Sequence, residues 1–308
     1  MTLKACVFPG QGSQSVGMIS DVVSQYEIAS DTFKQASDAL GYDLWSLVSN
    51  GPGTELNQTD KTQPALLASS VALWRVLEQK GFHCDYMAGH SLGEYSALVC
   101  AGALPFEEAI KLVELRGQFM QQAVPAGVGA MYAIIGLDDE AIQTACNNAA
   151  EGAVVSPVNY NSPGQVVIAG NSAAVERAGA LCKEAGAKRA LPLAVSVPSH
   201  CELMRPAAER LQQALESLNV SAPNIPVFNN VDVSAEANES SIKKALVRQL
   251  YSPVRWTETI QKLAGSDVSS LLEVGPGKVL TGLAKRIDKS LTASAVNTVD
   301  SIEALFEK

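Results

Sequence analysis

The sequence has few aromatic residues, few histidines and no run of positive charge. Phe, Trp and Tyr make up 6% of the 308 residues, while 47% are hydrophobic, so the apolar content is mostly aliphatic, as in a packed α/β enzyme. Lys and Arg number 23 against 32 Asp and Glu, which gives a formal charge of −9. Because no basic stretch is long enough to follow a phosphate backbone, we expect no nucleic acid partner.

Membrane and export signals are also lacking. No apolar segment is long enough to span a bilayer, and the apolar start of the chain meets Pro9 too early for a signal peptide. The six cysteines are scattered, with no C-x-x-C pair, which favours reduced thiols over a disulfide framework or a zinc site. We therefore expect a cytoplasmic protein with no membrane partner, no metal and no cofactor.

One short motif stands out against this background. Residues 89–93 read G-H-S-L-G, a G-x-S-x-G pattern, and they lie between a short apolar run and a helix-like run. In a nucleophile elbow the serine sits on a sharp strand-to-helix turn, and the flanking glycines remove side chains that would clash. The first amides of the helix then point at whatever binds the serine. This context predicts that Ser91 is a nucleophile rather than part of a simple turn.

A second glycine-containing loop follows the first predicted strand, residues 3–8. Residues 9–14 read P-G-Q-G-S-Q, which resembles the start of G-x-G-x-x-G, but Ser15 occupies the position of the third glycine. A dinucleotide site is therefore disfavoured. The backbone amides of this loop would still suit an anion or a developing oxyanion.

An arginine interrupts the apolar face of a predicted helix that runs from residue 106 to about residue 124. Arg116 lies four residues after Leu112 and four before Met120, on the same face as both. A buried guanidinium needs a partner, and a carboxylate or a phosphate can bind it in bidentate fashion. A structural ion pair or a side chain that reaches solvent at the edge of the face is an equally good explanation of this residue alone.

The pattern changes between about residues 127 and 197. Strand, helix, strand, strand, helix and strand are predicted in turn, and the last strand runs from Lys188 to Val195. This βαββαβ order is the ferredoxin-like signature. We predict an α/β protein with a ferredoxin-like small domain at 127–196. This domain is inserted into an α/β-hydrolase-like large domain, with a parallel sheet, that is formed by 1–126 and 197–308.

A serine hydroxyl is a poor nucleophile without a base. His90 adjoins Ser91 and should point away from it at a sharp turn, and His83 lies in a polar turn. His200, where the chain re-enters the large domain, is the base by elimination. No Asp or Glu between Ser91 and His200 lies in a convincing loop, so a carbonyl or a side-chain amide is expected to orient the imidazole, as in a Ser–His dyad.

In combination, these motifs resemble those of malonyl-CoA:acyl carrier protein transacylases of bacterial fatty acid synthesis. The resemblance covers nearly the whole chain. It rests on residues 9–14 (P-G-Q-G-S-Q), residues 89–95 (G-H-S-L-G-E-Y), Arg116, Ser199, His200 and Gln249.

The resemblance implies a role for each matching residue. Ser91 resembles the acylated nucleophile and His200 its base, while Arg116 resembles the guanidinium that binds the malonyl carboxylate. The backbone amides of Gln11 and Leu92 resemble the oxyanion hole, and Gln11 also belongs to the substrate site. The main-chain carbonyl of Gln249 resembles the group that holds His200.

The resemblance also implies a reaction and two partners. The malonyl group passes from malonyl-CoA to Ser91 and then to the phosphopantetheine thiol of acyl carrier protein, by a ping-pong route. We expect a monomer. Carrier proteins of this kind are acidic, so docking calls for a local basic patch, and the best candidates are two basic pairs. These are Lys188, Arg189, Lys285 and Arg286.

Two other classes of function remain open. A serine thioesterase or esterase of the α/β-hydrolase type would use Ser91, but it leaves Arg116 without a role and needs an acid that the sequence does not offer. A non-catalytic module that binds CoA or a nucleotide through the loop at 10–12 predicts binding without a covalent intermediate.

Overall fold

The computed structural model describes residues 3–194 and 197–307. Val195, where the last strand of the small domain was predicted to end, lies outside the described residues. Strands β1 to β9 have these bounds: β1 Leu3–Phe8, β2 Tyr86–Gly89, β3 Gly129–Ile135, β4 Val155–Ser162, β5 Gln165–Asn171, β6 Arg189–Pro192, β7 Val227–Phe228, β8 Val268–Val274 and β9 Thr292–Val296.

Helices surround two separate sheets. Their bounds are α1 Ser20–Gln25, α2 Glu27–Leu40, α3 Leu44–Asn50, α4 Gly53–Leu56, α5 Thr59–Gln79, α6 Gly93–Cys100, α7 Phe106–Ala123, α8 Asp139–Ala149, α9 Ser172–Glu184, α10 Arg205–Glu216, α11 Glu239–Gln249, α12 Trp256–Ala264, α13 Val279–Ile287 and α14 Val299–Glu303. A 3-10 turn at Glu202–Met204 precedes α10. Within the described residues, no helix is both long and apolar enough to cross a bilayer.

The larger sheet is parallel, with the strand order β7-β2-β1-β8-β9. Its central strand β1 is buried on both faces, which explains its continuous apolar sequence. Cys6 and Phe8 face the core cluster formed with α2, α5 and α7, whereas Ala5 and Val7 face the cluster formed with α12 and α13. The predicted parallel α/β sheet is confirmed.

The smaller sheet is antiparallel, with the order β4-β5-β3-β6. Helices α8 and α9 cover one face, where Ile134, Val166 and Ile168 are fully buried. The element order from β3 to β6 is βαββαβ, so the predicted ferredoxin-like topology is confirmed. The other face carries Met131 and Val167 and packs near Cys201.

Backbone hydrogen bonds connect the smaller sheet to a part of the chain that lies outside it. The amide of Tyr160 in β4 donates to the carbonyl of Val254 at 3.0 Å, and the amide of Val254 donates to the carbonyl of Val158 at 2.8 Å. These bonds tie the smaller sheet to the segment before α12. The division of the chain at 126/127 and 196/197 stays a prediction.

Two local features are not evident from the sequence pattern. Helix α5 begins at Thr59, so Pro64 lies inside it rather than in its first turn, at the cost of one intrahelical hydrogen bond. The burial of nearly every residue between Thr62 and Leu77 outweighs that local cost. The second feature is β9, an edge strand that pairs in parallel with β8.

Candidate active site

The carboxyl ends of three neighbouring strands define the site. The loop after β1 carries Gln11, the turn after β2 carries Ser91, and Asn230 follows β7 by two residues. Because β7, β2 and β1 are adjacent in the parallel sheet, these residues meet at one edge. Ligands bind at this edge in open parallel sheets.

Ser91 lies at the turn between β2 and α6 with a left-handed backbone, φ 52°. The flanking glycines permit this turn. A Cβ on Gly89 would lie 1.8 Å from the carbonyl carbon of Gly93, and a Cβ on Gly93 would lie 2.0 Å from the carbonyl oxygen of Phe8. The strained turn that the G-x-S-x-G motif predicts is therefore present, and side chains larger than hydrogen do not fit at its two glycines.

The Ser91 hydroxyl and the His200 imidazole are in hydrogen-bond contact. Ser91 Oγ lies 2.8 Å from His200 Nε2, and His200 Nδ1 lies 2.7 Å from the main-chain carbonyl oxygen of Gln249. A carbonyl oxygen only accepts, so Nδ1 carries the proton of the neutral ring and Nε2 is free to accept the serine proton. The third group is a carbonyl, as a dyad requires, not a carboxylate.

His200 is 3% exposed, and burial lowers its pKa to about 3, with the charge of Arg116 acting in the same direction. The imidazole is therefore neutral at physiological pH. Its backbone is also left-handed, φ 64°, and its amide donates to the carbonyl of Leu250 at 3.0 Å. The ring is thus held in place from the backbone and from Nδ1.

Arg116 is 1% exposed and lies beside Ser91. Its Nη1 donates to Gln63 Oε1 at 2.8 Å and its Nη2 to Gln249 Oε1 at 2.9 Å, and Nη2 lies 3.4 Å from Ser91 Oγ. The guanidinium stacks over the Tyr95 ring, 5.3 Å from its centroid. Burial lowers its pKa from the ordinary value.

The partners of Arg116 leave a positive charge without a directly bonded anion. Within the part of the chain that the structure describes, no carboxylate forms an ion pair with Arg116, and its Nε atom has no hydrogen-bond partner. Side-chain amides hold the guanidinium without neutralising it. This arrangement suits an incoming carboxylate next to the serine.

Gln249 contacts the site with both its backbone and its side chain. Beyond the carbonyl bond to His200, its Nε2 donates to the carbonyl oxygen of Ser91 at 3.0 Å and to Glu94 Oε2 at 2.8 Å. The sequence reasoning assigned only the carbonyl. The side chain adds a link between the nucleophile turn and Arg116.

Sequence reasoning missed three further polar residues of the site. Asn230 Oδ1 accepts from the amide of Ser91 at 2.7 Å, and Glu94 Oε2 accepts from the amide of Asn230 at 2.9 Å. Gln63 binds Arg116, as described above. No local signal marks Gln63, which follows a polar run at the start of α5.

A cavity of about 260 Å³ opens beside the serine. Gln11, Leu92 and Arg116 line it from the larger sheet, and Met131 and Asn159 line it from the smaller one. The amides of Gln11 and Leu92 have no acceptor among residues 3–194 and 197–307. They are therefore available to an oxygen in the cavity. In the same two ranges, no cluster of three or more His, Cys, Asp or Glu could hold a metal ion.

His90 points away from the Ser91 hydroxyl, as expected for a residue next to the nucleophile. Its Nε2 lies 2.8 Å from Asn161 Oδ1 in β4, and its ring meets that of Trp256 with centroids 5.5 Å apart. His83 is exposed in its turn. His90 therefore connects the nucleophile turn to the smaller sheet.

The two basic pairs lie near each other at the rim of the smaller sheet. Arg189 pairs with Ile135, which pairs with Gln165 on its other side, and Arg286 Nη1 donates to Gln165 Oε1 at 2.8 Å. Two strand spacings are about 10 Å, so the pairs belong to one surface region. All four side chains are exposed, namely those of Lys188, Arg189, Lys285 and Arg286.

A serine on a strand-to-helix turn, in contact with a neutral histidine, is the arrangement of enzymes that form an acyl ester on serine. The family model described as the acyl transferase domain matches residues 5–302. A malonyl CoA-acyl carrier protein transacylase of Haemophilus influenzae is 67% identical over 305 residues, which are 98% of each chain. The protein of that name from Escherichia coli strain K12 is 62% identical over the full length of both.

Solved structures agree with these sequence relatives. An acyl carrier protein S-malonyltransferase from Vibrio cholerae has a TM-score of 0.97 and 66% identity, covering 98% of this chain and 99% of its own. A malonyl-transacylase in complex with a type II PKS acyl-carrier protein has a TM-score of 0.97 and 61% identity, covering 98% of each chain. The chain therefore belongs to the acyltransferase family, within the malonyl CoA-acyl carrier protein transacylases.

Proposed function

We propose that this chain transfers the malonyl group of malonyl-CoA to the phosphopantetheine thiol of acyl carrier protein, through a malonyl ester on Ser91, and so supplies fatty acid biosynthesis. One observation carries the proposal. The Ser91 hydroxyl lies between a neutral histidine base at 2.8 Å and a buried guanidinium at 3.4 Å. A nucleophile next to a cation fits an acyl group that ends in a carboxylate.

The first half-reaction forms the ester. Ser91 Oγ attacks the thioester carbonyl while its proton moves to His200 Nε2, and the bond from the carbonyl carbon to sulfur then breaks. The CoA thiol leaves with the proton from His200. The negative oxygen of the tetrahedral intermediate is bound by the amides of Gln11 and Leu92, because both residues line the cavity and neither amide has an acceptor among residues 3–194 and 197–307.

Arg116 selects the acyl group. The malonyl carboxylate binds the guanidinium, whose position is fixed by Gln63 and Gln249. An acetyl group offers no carboxylate, so it leaves the buried cation without an anion. A buried charge that loses its partner costs about 2–5 kcal/mol, which amounts to a preference of roughly 30-fold to several thousand-fold.

The second half-reaction discharges the ester. His200 accepts the proton of the carrier's thiol, the thiolate attacks the ester carbonyl, and Ser91 recovers its proton as the new thioester forms. Water that entered the cavity would hydrolyse the ester instead. The smaller sheet, with Met131 facing the cavity, limits the access of water.

The carrier approaches the basic surface formed by the two pairs, which we call the rim patch: Lys188, Arg189, Lys285 and Arg286. The chain is acidic overall, with a formal charge of −9, so an acidic carrier requires a local region of opposite sign. Arg286 binds Gln165, and Ile135 pairs with both Gln165 and Arg189, which brings the two basic pairs to one surface. A solved relative is described as a complex with its acyl-carrier protein.

We further propose that the protein acts as a monomer in the cytoplasm. Nucleophile, base, guanidinium and oxyanion amides all come from one chain, so a second copy supplies nothing to the site. The six cysteines are free thiols, which suits a reducing compartment. Light scattering after gel filtration tests whether the protein is a monomer, and fractionation of cells tests whether it is cytoplasmic.

The deciding experiment is intact mass after brief mixing with malonyl-CoA. We expect one malonyl adduct on the wild type, none on Ser91→Ala, little with acetyl-CoA, and discharge of the adduct by holo carrier protein. The matched control is Ser96→Ala. Ser96 is a buried serine in α6, five residues after Ser91, and we expect this variant still to be acylated on Ser91.

Other outcomes of this experiment contradict the proposal in distinct ways. Rapid release of free malonate without carrier, with the Ser91 adduct only transient, indicates a serine thioesterase. Binding of CoA without any adduct or turnover indicates a non-catalytic module.

A further inference from the structure

A buried carboxylate lies behind the nucleophile turn and does not face the cavity. Glu94 is 2% exposed and occupies the first turn of α6, three residues after Ser91. Its Oε2 atom accepts two hydrogen bonds, from Gln249 Nε2 at 2.8 Å and from the amide of Asn230 at 2.9 Å. Both donors belong to residues that themselves hold the reacting groups.

The first connection runs through Gln249 to the acyl-binding group. While Nε2 of Gln249 donates to Glu94, its Oε1 accepts from Arg116 Nη2 at 2.9 Å. An amide bound at one end has a fixed orientation at the other, so Glu94, together with the carbonyl oxygen of Ser91, keeps the oxygen of Gln249, and not its nitrogen, facing Arg116. The reversed amide would bring two donors together at the guanidinium.

The second connection runs through Asn230 to the nucleophile. The bond from its amide to Glu94 fixes the Asn230 backbone, and the Asn230 side chain then spans the turn. Its Oδ1 accepts from the amide of Ser91 at 2.7 Å, and its Nδ2 donates to the carbonyl of Gly89 at 2.7 Å. This side chain satisfies polar backbone groups at a turn whose left-handed residue cannot satisfy them locally.

We propose that Glu94 is a positioning residue that orients Arg116 through Gln249 and the Ser91 turn through Asn230. The proposal rests on the proposed function, because it concerns the roles of Ser91 and Arg116 in malonyl transfer. Loss of Glu94 is expected to affect acyl selection as well as rate, since one of its two connections ends at the acyl-binding guanidinium. If the role of Glu94 were purely structural, its replacement would lower the stability of the protein without changing acyl selection.

The test compares single-turnover acylation by malonyl-CoA and by acetyl-CoA. For Glu94→Ala we expect kcat/KM with malonyl-CoA to fall about 10- to 100-fold, as for a lost hydrogen bond to a charged group, and the malonyl-over-acetyl preference to fall with it. Glu94→Gln should recover most of the loss, because a side-chain amide oxygen can accept the same two bonds. Glu94→Asp keeps the charge, but its side chain is one methylene too short to reach both donors. If Glu94→Ala does not fold, Glu94→Asp takes its place, and we expect the same losses of rate and of malonyl preference.

Glu273→Ala is the matched control. Glu273 is 0% exposed and accepts hydrogen bonds from the amides of Leu280 and Thr281 and from the Thr281 hydroxyl, at the start of α13. Its replacement removes a buried carboxylate and its bonds without touching the groups around Ser91. We expect a lower melting temperature but an unchanged malonyl-over-acetyl preference in acylation.

A double-mutant cycle decides whether Glu94 acts through Gln249. Gln249→Ala keeps the main-chain carbonyl that binds His200, so it isolates the side chain. In this background Glu94→Ala should change the malonyl preference little, because the connection is already broken. Additive losses of preference, or an unchanged preference in Glu94→Ala and Glu94→Asp, would overturn the positioning role. If the wild type forms no malonyl ester, the proposed function fails instead, and that measurement comes first.

Discussion

Ser91 and His200 contact each other at 2.8 Å although 109 residues separate them in the chain, and both have left-handed backbones, with φ of 52° and 64°. Residues with side chains rarely adopt this conformation, and each instance costs on the order of 1–3 kcal/mol. The surrounding bonds offset that cost, since Asn230 binds the amide of Ser91 and Leu250 binds that of His200. The Ser91 hydroxyl and the His200 imidazole are thus held in contact by the fold itself.

The glycines of the nucleophile turn provide the first prediction. Gly89→Ala would place a Cβ 1.8 Å from the carbonyl carbon of Gly93, a distance that only a shift of the strand or the helix can relieve. We expect the free energy of unfolding to fall by more than about 3 kcal/mol, or soluble expression to be lost. Denaturant unfolding monitored by circular dichroism measures the change.

Gly282→Ala is the control for that substitution. Gly282 lies in α13, where an added Cβ would meet no neighbouring element within 4 Å, so alanine should stabilise the helix by about 0.5–1 kcal/mol. Equal effects of the two substitutions would mean that the close approach at the turn is not what requires glycine there.

The second prediction concerns acyl selection by Arg116. Arg116→Ala removes the buried cation, so malonyl-CoA should lose about 30-fold or more in kcat/KM, while acetyl-CoA loses little or gains. Competition between the two thioesters, read as adduct masses, measures the ratio directly. An unchanged malonyl-over-acetyl ratio in this variant would contradict the assignment of Arg116.

Arg75→Ala serves as the matched arginine variant. Arg75 is also held by neutral oxygens, donating to Thr32 Oγ1 at 2.9 Å and to Gln35 Oε1 at 3.0 Å, but it lies against α2 and does not line the cavity. We expect its acyl preference to equal that of the wild type, even if its melting temperature falls.

The third prediction concerns the pH dependence of ester formation. In the proposed reaction the base works in its neutral form, and burial lowers the pKa of His200 to about 3, well below the ordinary histidine value of 6.5. Lowering the pH from about 8 to about 5.5 therefore leaves the base neutral, and the acylation rate should show none of the roughly tenfold decrease that an ordinary histidine would cause. Rapid-quench acylation across this range measures the profile.

Glu94 lies close to His200 and also titrates, so the pH profile has to be measured in a variant without this carboxyl group as well. Burial raises the pKa of Glu94 to about 7, against the hydrogen bonds from Gln249 and Asn230 and the charge of Arg116, which all lower it. Glu94→Gln has no such ionisation. A decrease with a midpoint near the ordinary histidine value that persists in Glu94→Gln would show that His200 titrates normally.

The sequence was sufficient for those parts of the site that depend on local pattern. The turn around Ser91 was readable because a strand, two glycines and a helix are contiguous, and Arg116 because it interrupts an apolar helical face. The βαββαβ order between Gly129 and Pro192 followed from periodicity in the same way. Each of these signals is local in the sequence. Each reports either a backbone conformation or a charged residue on a face that should be buried.

The groups that hold the reacting residues could not be found in this way. Asn230 lies 139 residues from Ser91, and Gln249 lies 155 residues from Glu94, so their contacts arise only from the strand order and the helix packing. Strand β9 was missed for a related reason, because an edge strand that alternates exposed and buried small residues resembles a loop. These contacts and the edge strand β9 depend on pairing between distant parts of the chain, which cannot be inferred from the local pattern of a single sequence.

The last prediction tests the rim patch. Reversing Lys188 and Arg189, or Lys285 and Arg286, to glutamate should slow the transfer to acyl carrier protein about tenfold or more at low salt, because electrostatic steering raises the association rate. Acylation by malonyl-CoA should be unchanged, since the four side chains lie outside the cavity lining. Stopped-flow discharge of the malonyl ester, at increasing carrier concentrations and two ionic strengths, separates the two steps.

The control for the rim patch is a reversal elsewhere on the surface. Lys244 is an exposed lysine of α11 and is not part of the rim patch. Lys244→Glu therefore changes the net charge of the protein without changing the rim patch. The difference between the rim variants and this control should shrink as salt rises, because screening shortens the range of charge interactions. If all variants slow equally, the overall charge and not a local surface governs the encounter. If none slows at low salt, the carrier docks on a different face.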